Sequence, residues 1–323
     1  MNIYYYLPEN DRPSWGAGMI YYHTWLLQKN NFDAHVLYEK KPYRLKWLKL
    51  DVSFKYLDDA SLKIQKEDIL VIPEVCISHP ALLKLTCKKI VFIQNAFYIY
   101  QGLGNFKNYE EAGIGQVFYY MPHLKKILSM ITMLPIYETA PFIAPYYFAD
   151  KINHTRKRRI ILYPKFGNKE YDILKRILED KLGLRKKGTI EKFFASKNDW
   201  EIIELKDKTH HEVAKEMSDA AFFISLNTTE AFNSAVPEAM ASGCINVCYE
   251  GVGPADFLED KINAFVFSNN HVYPMAEKII NLVEQYDTMQ DELEAIRINA
   301  KMTADQYRIE KLENQLVIFF KGI

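Results

Sequence analysis

Two apolar runs joined by a short helical segment constrain the fold of this chain more than any other feature. The run Ala221–Leu226 is typical of a strand buried on both faces, as in a parallel sheet. Pro237 suits the first position of the helix that follows, and Gly243 suits its end. The second run, Ile245–Tyr249, begins another buried strand. The pattern therefore predicts a βαβ unit of an α/β fold.

Two carboxylates, Glu230 and Glu238, flank the start of this short helix. Ligands of open α/β sheets bind beyond the carboxyl ends of the strands, where helix starts present free N–H groups to anions. Ionised carboxylates only accept hydrogen bonds, so two of them beside an anion site suit a ligand whose hydroxyl pairs flank a phosphate group. A nucleotide sugar has that arrangement. In the alternative interpretation, Glu238 favours the helix start through the macrodipole and Glu230 is a solvated loop residue.

The length of the chain indicates two domains. At 323 residues it exceeds the size at which a single core usually keeps growing. Strand-like and helix-like segments alternate in both halves, which favours parallel sheets, and a charged break at 150–159 separates the halves. We predict a first domain at residues 1–150, a second at 151–302 and a C-terminal helix at 303–323.

The charge balance argues against a nucleic-acid partner. Lys plus Arg and Asp plus Glu each number 41, so no overall field recruits nucleic acid or an acidic membrane. Four cysteines without paired spacing are expected to be reduced core residues. The first residues lack the features of a signal peptide, and the most apolar windows are too short to span a bilayer, so we expect a cytoplasmic protein.

Neither a metal nor a cofactor is predicted. The sequence contains no D-x-D motif and no His, Cys and Asp cluster at metal-ligand spacing, which favours metal-free diphosphate binding. Residues 40–50, KKPYRLKWLKL, are basic with interleaved aromatic and apolar residues. A solvated amphipathic helix is the simpler interpretation. The alternative is a peripheral contact with an anionic membrane surface that carries a lipid-linked acceptor.

The segment EAFNSAVPEAMASG, residues 230–243, resembles the signature of retaining glycosyltransferases of the GT-B fold, the group 1 family. That signature usually has E-G-F-G, three or four residues, and then E-A-M-A-x-G. The resemblance is specific over about 159–267 and implies two Rossmann-like parallel-sheet domains that face each other across a cleft. It also implies that the last helix packs back on the first domain. Ala231 and Asn233 replace the two usual glycines, and a Cβ at either position narrows the approach of a phosphate to the backbone.

The resemblance implies roles for the residues of this segment. Glu230 would hold hydroxyls of the donor sugar, and Glu238 would hold the ribose diol. The backbone of Ala231, Phe232 and Asn233 would form the donor loop, with the N–H groups of the last two directed toward the diphosphate. Glu230→Ala, like Lys169→Ala, is expected to lose turnover with the fold intact.

Two lysines would neutralise the donor diphosphate by the same resemblance. Lys165 and Lys169 follow the first strand of the second domain, where the family has a basic pair. Departure of a nucleoside diphosphate builds negative charge, and fixed cations directed at that charge lower the barrier. Lys165 stands where the family usually has arginine, so a point charge replaces a bidentate fork. Solvated loop lysines are the alternative.

The resemblance also suggests roles at the binding site for three glycines. Gly16 and Gly18 follow the first strand, where the family has a loop facing the diphosphate and the acceptor. Plain turn glycines explain the same pattern. Gly253 lies in a glycine-rich turn after the strand that ends at Tyr249, and it would support the donor loop or simply turn the chain into the next helix.

Four residues of the first domain are candidates for contact with the acceptor or the reacting carbon. Pro73-Glu74 lies at a predicted strand end where relatives often have His-Glu or a similar pair, and Gln94-Asn95 lies where they often have histidine; Glu74 and Asn95 are therefore candidates. The histidines that remain, His79 and His123, are candidates for the same role, although isolated histidines are more often surface or packing residues.

The function implied by the resemblance is transfer of a sugar from a nucleoside diphosphate donor to a hydroxyl of a glycan or glycolipid acceptor. It would proceed with retention and without metal, in the assembly of a cell-surface polysaccharide or lipopolysaccharide. Catalysis would consist of positioning and of stabilising the leaving group. The alternatives are a sugar-nucleotide epimerase or phosphorylase on the same fold, or an inactive transferase-like binding subunit.

Overall fold

The computed structural model describes residues 1–10, 14–148, 156–163, 169–183, 199–205 and 208–323. These residues form two compact units. The first unit combines Met1–Pro141 with Ile309–Ile323, and the second comprises Phe142–Arg308. The chain therefore passes from the first unit to the second at 141/142, where the sequence had suggested 150/151.

Strands and helices alternate through most of the described residues. In chain order the strands are β1 Ile3–Tyr6, β2 Ala34–Tyr38, β3 Phe54–Tyr56, β4 Ile69–Pro73, β5 Lys88–Ile93, β6 Gln116–Tyr119, β7 Ile136–Glu138, β8 Lys157–Tyr163, β9 Glu201–Glu204, β10 Ala220–Ser225, β11 Ile245–Tyr249 and β12 Phe265–Phe267. The helices are α1 Trp15–Lys29, α2 Pro80–Leu83, α3 Pro122–Ile131, α4 Lys169–Lys181, α5 His210–Asp219, α6 Ala235–Ala241, α7 Val272–Glu284, α8 Gln290–Asp305 and α9 Ile309–Lys321.

Each unit is built on one parallel sheet. The strand order is β3-β2-β1-β4-β5-β6-β7 in the first unit and β12-β11-β10-β8-β9 in the second. Every residue of the central strands β1, β4, β10 and β11 is buried, as expected for parallel strands covered on both faces. The predicted α/β class with two parallel sheets is confirmed.

The C-terminal helix α9 belongs to the first unit, where it packs on α1. Lys29 Nζ lies 3.3 Å from Glu313 Oε2, and Asn30 Nδ2 donates to Glu313 Oε1 at 2.8 Å. On the other side of the helix, the Phe319 ring lies 4.6 Å from the ring of Phe118 in β6. These contacts explain why the last residues of the chain return to the first unit.

A buried arginine joins two strands and two helices at the amino end of the second sheet. Arg156, immediately before β8, is 7% exposed. Its Nη1 donates to the carbonyls of Met217 and Ala220 at 3.0 Å each, and its Nη2 donates to the carbonyl of Ser242 at 2.6 Å. Met217 lies in the last turn of α5 and Ser242 is the C-cap of α6, so the cation satisfies carbonyls that a helix end leaves open.

Residues 40–50 do not form the predicted amphipathic helix; they are irregular. Leu45 is 6% exposed, and its N–H donates to the Tyr21 hydroxyl at 3.2 Å. The Arg44 guanidinium lies 4.8 Å from the centre of the Phe54 ring. The prediction of a helix is wrong because the apolar side chains anchor separately on the first unit, so no single helical face has to collect them.

Candidate functional site

The candidate site lies at the carboxyl edge of the second sheet. Strands β8 and β10 end in register, with Tyr163 opposite Ser225. The loop after Ser225 carries Glu230, which is partly exposed, and leads into α6. Glu238 lies in the first turn of that helix and is 6% exposed. The strand, loop and helix expected from the sequence therefore exist, although the helix begins at Ala235, two residues before Pro237.

The two carboxylates share one electrostatic environment. Burial raises the pKa of Glu238 to about 7, and the charge of Glu230 adds to this rise. Hydrogen bonds from the side chains of Ser234 and Tyr147 oppose it by stabilising the ionised form. Burial, followed by the charges of both glutamates, raises the pKa of the Tyr163 hydroxyl. Glu230 and Glu238 are therefore near enough for their charges to interact, and their roles toward a ligand stay predictions.

The loop accommodates both replacements of the usual glycines. Asn233 has a φ of 51°, in the left-handed region that glycine favours and asparagine tolerates better than most residues. Its Nδ2 donates to Ser225 Oγ at 3.2 Å, which fixes the end of the loop to β10. Ala231 is 4% exposed, so its methyl group packs inside the unit. Whether the donor loop binds a phosphate in this form stays a prediction.

An aromatic cluster anchors the middle of the loop. Phe232 is 2% exposed, and its ring centroid lies 5.0 Å from that of Tyr307 and 6.0 Å from that of Phe257. Because the Phe232 side chain is buried in this cluster, only its backbone is left to contact a ligand, and that contact stays a prediction.

Gly253 supports the loop through backbone contact. Its N–H donates to the carbonyl of Glu230 at 3.2 Å. A Cβ added to Gly253 would lie 1.8 Å from the carbonyl oxygen of Ala231, a distance that no side chain tolerates. Glycine is required here because the turn after β11 packs directly on the backbone that carries Glu230.

The basic pair is only partly described. Lys169 is exposed and is the first residue of α4. The next residue, Glu170, accepts a hydrogen bond from the Tyr249 hydroxyl at 2.9 Å, which ties the start of α4 to the carboxyl end of β11. Lys165 lies outside the described residues. The start of α4 therefore lies at the same sheet edge as the loop that carries Glu230.

In the first unit, Gly16 and Gly18 lie in the first turn of α1 rather than in a turn before it. The Ser14 hydroxyl accepts from the Ala17 N–H at 3.3 Å and caps the helix. A Cβ at Gly16 would lie 2.4 Å from Gln94 Oε1, and Gln94 Nε2 donates to the Gly16 carbonyl at 3.0 Å. The prediction of a turn over 15–18 is wrong because the cap outweighs the low helix propensity of two glycines.

Two of the acceptor candidates meet at the carboxyl edge of the first sheet. The Asn95 N–H, after β5, donates to Oε1 of Glu74, after β4, at 2.9 Å. Glu74 is 2% exposed, and burial raises its pKa to about 7. Within the described part of the chain, no hydrogen-bond partner of Glu74 Oε2 is found. A buried carboxyl with one oxygen unsatisfied is costly unless it is neutral or binds a ligand.

The two histidines occupy different positions. His79 is the N-cap of α2, with its Nε2 3.7 Å from Glu39 Oε2 and its ring 5.4 Å from that of Tyr6. His123 is the second residue of α3 and is partly exposed. Contact of either residue with an acceptor stays a prediction.

Tyr147 and Tyr163 are site residues that the sequence did not reveal. Tyr163 is the last residue of β8, where strand pattern alone gives no reason to single it out. Tyr147 lies about ninety residues before Glu238 in a short turn, so no local motif connects the two. Sequence spacing reveals partners within one element or motif, and these two tyrosines reach the site only through the tertiary fold.

No group of three or more His, Cys, Asp and Glu side chains that could hold a metal ion occurs among the residues described above. In the same part of the chain, none of the helices has both the length and the apolar character needed to cross a membrane.

Comparison with known proteins identifies similar chains. Residues 197–302 match the family described as glycosyl transferases group 1. An alpha-1,6-glucosyltransferase of Actinobacillus pleuropneumoniae serotype 7 is 24% identical over 236 residues, which cover 70% of this chain and 66% of that relative.

Solved structures extend the similarity to the whole fold. A glycosyltransferase from Rickettsia africae has a TM-score of 0.73 at 14% identity, over 99% of this chain and 98% of that one. Anabaena HepE, solved in complex with UDP, has a TM-score of 0.65 at 10% identity over 100% of both chains. At these identities the similarity shows the fold alone, and that fold is the predicted GT-B type.

Proposed function

We propose that this chain, a group 1 glycosyltransferase of the GT-B fold, transfers a sugar from a nucleoside diphosphate donor to a hydroxyl of a glycan or glycolipid acceptor. The observation that carries this proposal is the shared environment of Glu230 and Glu238 at the carboxyl ends of β8 and β10. The UDP bound to HepE and the glucosyltransferase relative support a UDP-sugar as the first donor to test. Assembly of a cell-surface polysaccharide or lipopolysaccharide is the proposed setting, in the cytoplasm.

The second unit would bind the donor. Glu230, partly exposed on its loop, would accept hydrogen bonds from hydroxyls of the sugar, and the backbone N–H groups of Phe232 and Asn233 would reach the diphosphate. Lys169 would face the negative charge that builds as the nucleoside diphosphate departs, with Lys165 as its partner. This arrangement needs neither a metal nor another cofactor, and transfer with retention is part of the proposal.

The first unit would bind the acceptor beside Glu74 and Asn95. Three aromatic residues that follow Asn95 are unusually exposed: Phe97 is 57%, Tyr98 45% and Tyr100 63% exposed. Aromatic faces pack on the apolar faces of sugar rings, while the buried carboxyl group hydrogen-bonds hydroxyls. Such a surface supports a carbohydrate as the part of the acceptor that is recognised.

The remaining residue assignments are proposals on the same basis. His79 and His123 would contribute to acceptor binding, and Gly16 and Gly18 would keep the start of α1 accessible to substrate. Residues 40–50 would provide a peripheral membrane contact through their exposed lysines if the acceptor is lipid-linked.

Binding of UDP is expected to raise the melting temperature of the protein. A ligand that binds only the folded state at about 100 times its Kd adds roughly 2.7 kcal/mol to the free energy of unfolding. A panel of nucleoside diphosphates and their sugars, scored by thermal shift, measures this effect. If no member at millimolar concentration stabilises the protein, the proposal is contradicted and the inactive binding subunit is favoured.

Analysis of the products separates the enzymatic alternatives. Transfer releases the nucleoside diphosphate and leaves the sugar on an acceptor. An epimerase instead yields an altered sugar nucleotide, and a phosphorylase consumes phosphate. Either of these last outcomes would replace the proposed reaction while keeping the donor site.

Glu74→Gln is expected to remove a pH-dependent part of the stability of the first unit. Burial raises the pKa of Glu74 from its ordinary 4.5 to about 7, so the folded state keeps a proton that the unfolded chain releases between these values. The stabilisation is fully present below pH 4.5 and is lost as the pH rises through 7. Glutamine stays neutral, so at about pH 8 the variant should be more stable than wild type by roughly 2 kcal/mol.

Urea denaturation between about pH 4 and pH 8 measures this difference. Glu67→Gln is the matched control, because Glu67 is an exposed carboxylate of the same unit. If the free energy of unfolding of wild type and of Glu74→Gln changes with pH in parallel, the pKa of Glu74 is not raised in the folded state and the prediction is contradicted.

A further inference from the structure

We infer that Tyr147 is a positioning residue, which holds the Glu238 carboxylate in the orientation that accepts both hydroxyls of the donor ribose. This inference rests on the proposed function, because it assumes that Glu238 contacts a nucleoside diphosphate. It assigns a role to a residue outside the signature segment, in the turn Pro145–Tyr147.

Tyr147 contacts both ends of helix α6. Its hydroxyl hydrogen-bonds the side chain of Glu238 in the first turn of the helix. Its carbonyl accepts from Ser242 Oγ, at the C-cap of the same helix, at 3.1 Å. The Tyr147 N–H donates to the carbonyl of Ala144 at 3.0 Å, and the residue is 2% exposed. Because its backbone is held at two points and its side chain is buried, Tyr147 can fix the carboxylate that its hydroxyl touches.

The hydrogen-bonding capacity of Glu238 fits this role. An ionised carboxylate offers about four acceptor sites. The side chains of Ser234 and Tyr147 use one site each. About two sites then remain, which is the number that the two O–H donors of a ribose diol require.

The ionisation of Glu238 provides a readout that packing alone would not change. The Tyr147 hydrogen bond stabilises the ionised form of the carboxylate and so lowers its pKa against the larger effect of burial. Without this donor the pKa of Glu238 would rise further, and a larger share of the side chain would be protonated near neutral pH. A protonated carboxyl loses acceptor sites, so binding of the diol would weaken.

Several other charged or titratable groups surround this helix. Glu230 faces Glu238 from the loop and raises its pKa, whereas Arg156 lies at the opposite end of α6. Tyr163, at the end of β8, interacts with the charges of Glu230 and Glu238. Helices α5 and α8 pack against α6, and the titratable groups that they carry include His210 and His211 on α5 and Glu294 and Arg297 on α8.

The experiment measures the Kd of UDP by titration calorimetry between about pH 6 and pH 9 for wild type and Tyr147→Phe. We expect the affinity of the variant to be about fivefold lower near pH 7 and close to that of wild type near pH 9, because raising the pKa of Glu238 from about 7 by about one unit lowers its ionised share near pH 7 from about one half to about one tenth. Ser234→Ala, which removes the other donor to the same carboxylate, should shift the midpoint in the same direction. Tyr286→Phe is the matched control. Tyr286 is a buried tyrosine of the same unit, and its hydroxyl accepts a hydrogen bond from Arg297 rather than contacting Glu238.

A second ligand tests the link to the ribose. With 2′-deoxyUDP, which lacks one hydroxyl of the diol, the difference between wild type and Tyr147→Phe should shrink. Equal loss of affinity at every pH, or an unshifted profile, would overturn the positioning role. Failure of wild type to bind UDP at any pH would instead contradict the proposed UDP site.

Discussion

Replacing Glu230 or Lys169 with alanine is expected to lower kcat by about 10²–10³-fold, equivalent to roughly 3–4 kcal/mol of lost transition-state stabilisation. Glu230 would lose its hydrogen bonds to the sugar, and Lys169 would leave the departing diphosphate without a fixed cation. The fold should remain intact, because Glu230 is only partly buried on a loop and Lys169 is exposed at a helix start. Steady-state rates of sugar transfer, with melting temperature recorded for each variant, measure the effect.

Matched controls exist for both residues. Glu250→Ala removes an exposed carboxylate that immediately follows β11, the neighbouring strand, and Lys181→Ala removes an exposed lysine at the other end of α4. Both control variants should transfer sugar at rates close to that of wild type. If Glu230→Ala and Lys169→Ala transfer sugar at wild-type rates, the assignment of the donor site to this loop and helix is wrong.

Arg156→Met is expected to destabilise the second unit by about 3–5 kcal/mol, because hydrogen bonds from a charged donor contribute about 1.5–3 kcal/mol each and three are lost. The change leaves the buried carbonyl of Ser242 without the Arg156 donor, while those of Met217 and Ala220 keep the weak donor Cys244 Sγ. Methionine fills much of the volume, so the loss reports the hydrogen bonds more than a cavity. Arg156→Lys should recover only part of the stability, because an ammonium group lacks the planar fork that reaches carbonyls of two helices.

Urea denaturation of the full chain, with tryptophan fluorescence of the second unit at Trp200 among the probes, measures this loss. The control is Arg158→Met on the same strand, whose guanidinium is 39% exposed and pairs with Asp287 at 2.8 Å. Exposed ion pairs contribute about 0–1 kcal/mol, so this variant should stay near wild type. If Arg156→Met lowers the free energy of unfolding no more than Arg158→Met does, the buried carbonyls have found other hydrogen-bond donors.

Much of the fold was predictable because its signals are local. Strand β11, Ile245–Tyr249, has the predicted bounds, and β10, Ala220–Ser225, lies one residue from them, since an apolar run with a polar or glycine boundary is sufficient to mark a buried parallel strand. The segment 230–243, on which the resemblance to the group 1 family rests, lies inside residues 197–302, which match that family. Short edge strands such as β3 and β12 were not predicted, because three residues carry too little pattern to recognise.

Local signals failed where tertiary contacts decide the conformation. Gly16 and Gly18 indicated a turn by propensity, yet Ser14 caps a helix that begins at Trp15, and Gln94, immediately after β5, packs against that helix. Residues 40–50 have a helical pattern of apolar positions, but they are irregular, and the Leu45 N–H donates to the Tyr21 hydroxyl rather than to a helix carbonyl. Intrinsic helix propensity contributes only up to about 1 kcal/mol per residue to the free energy of a conformation, and the contribution of long-range contacts is larger.

The sequence by itself determined the class of fold, the parallel strands and the segment that carries Glu230 and Glu238, because these depend on the order and spacing of neighbouring residues. Only the tertiary structure decided that Tyr147 bonds Glu238 and that Arg156 closes two helix ends. The physical reason is the range of the interactions. Burial and hydrogen bonding act over a few ångströms in space, and the partners they join lie tens to hundreds of residues apart along the chain.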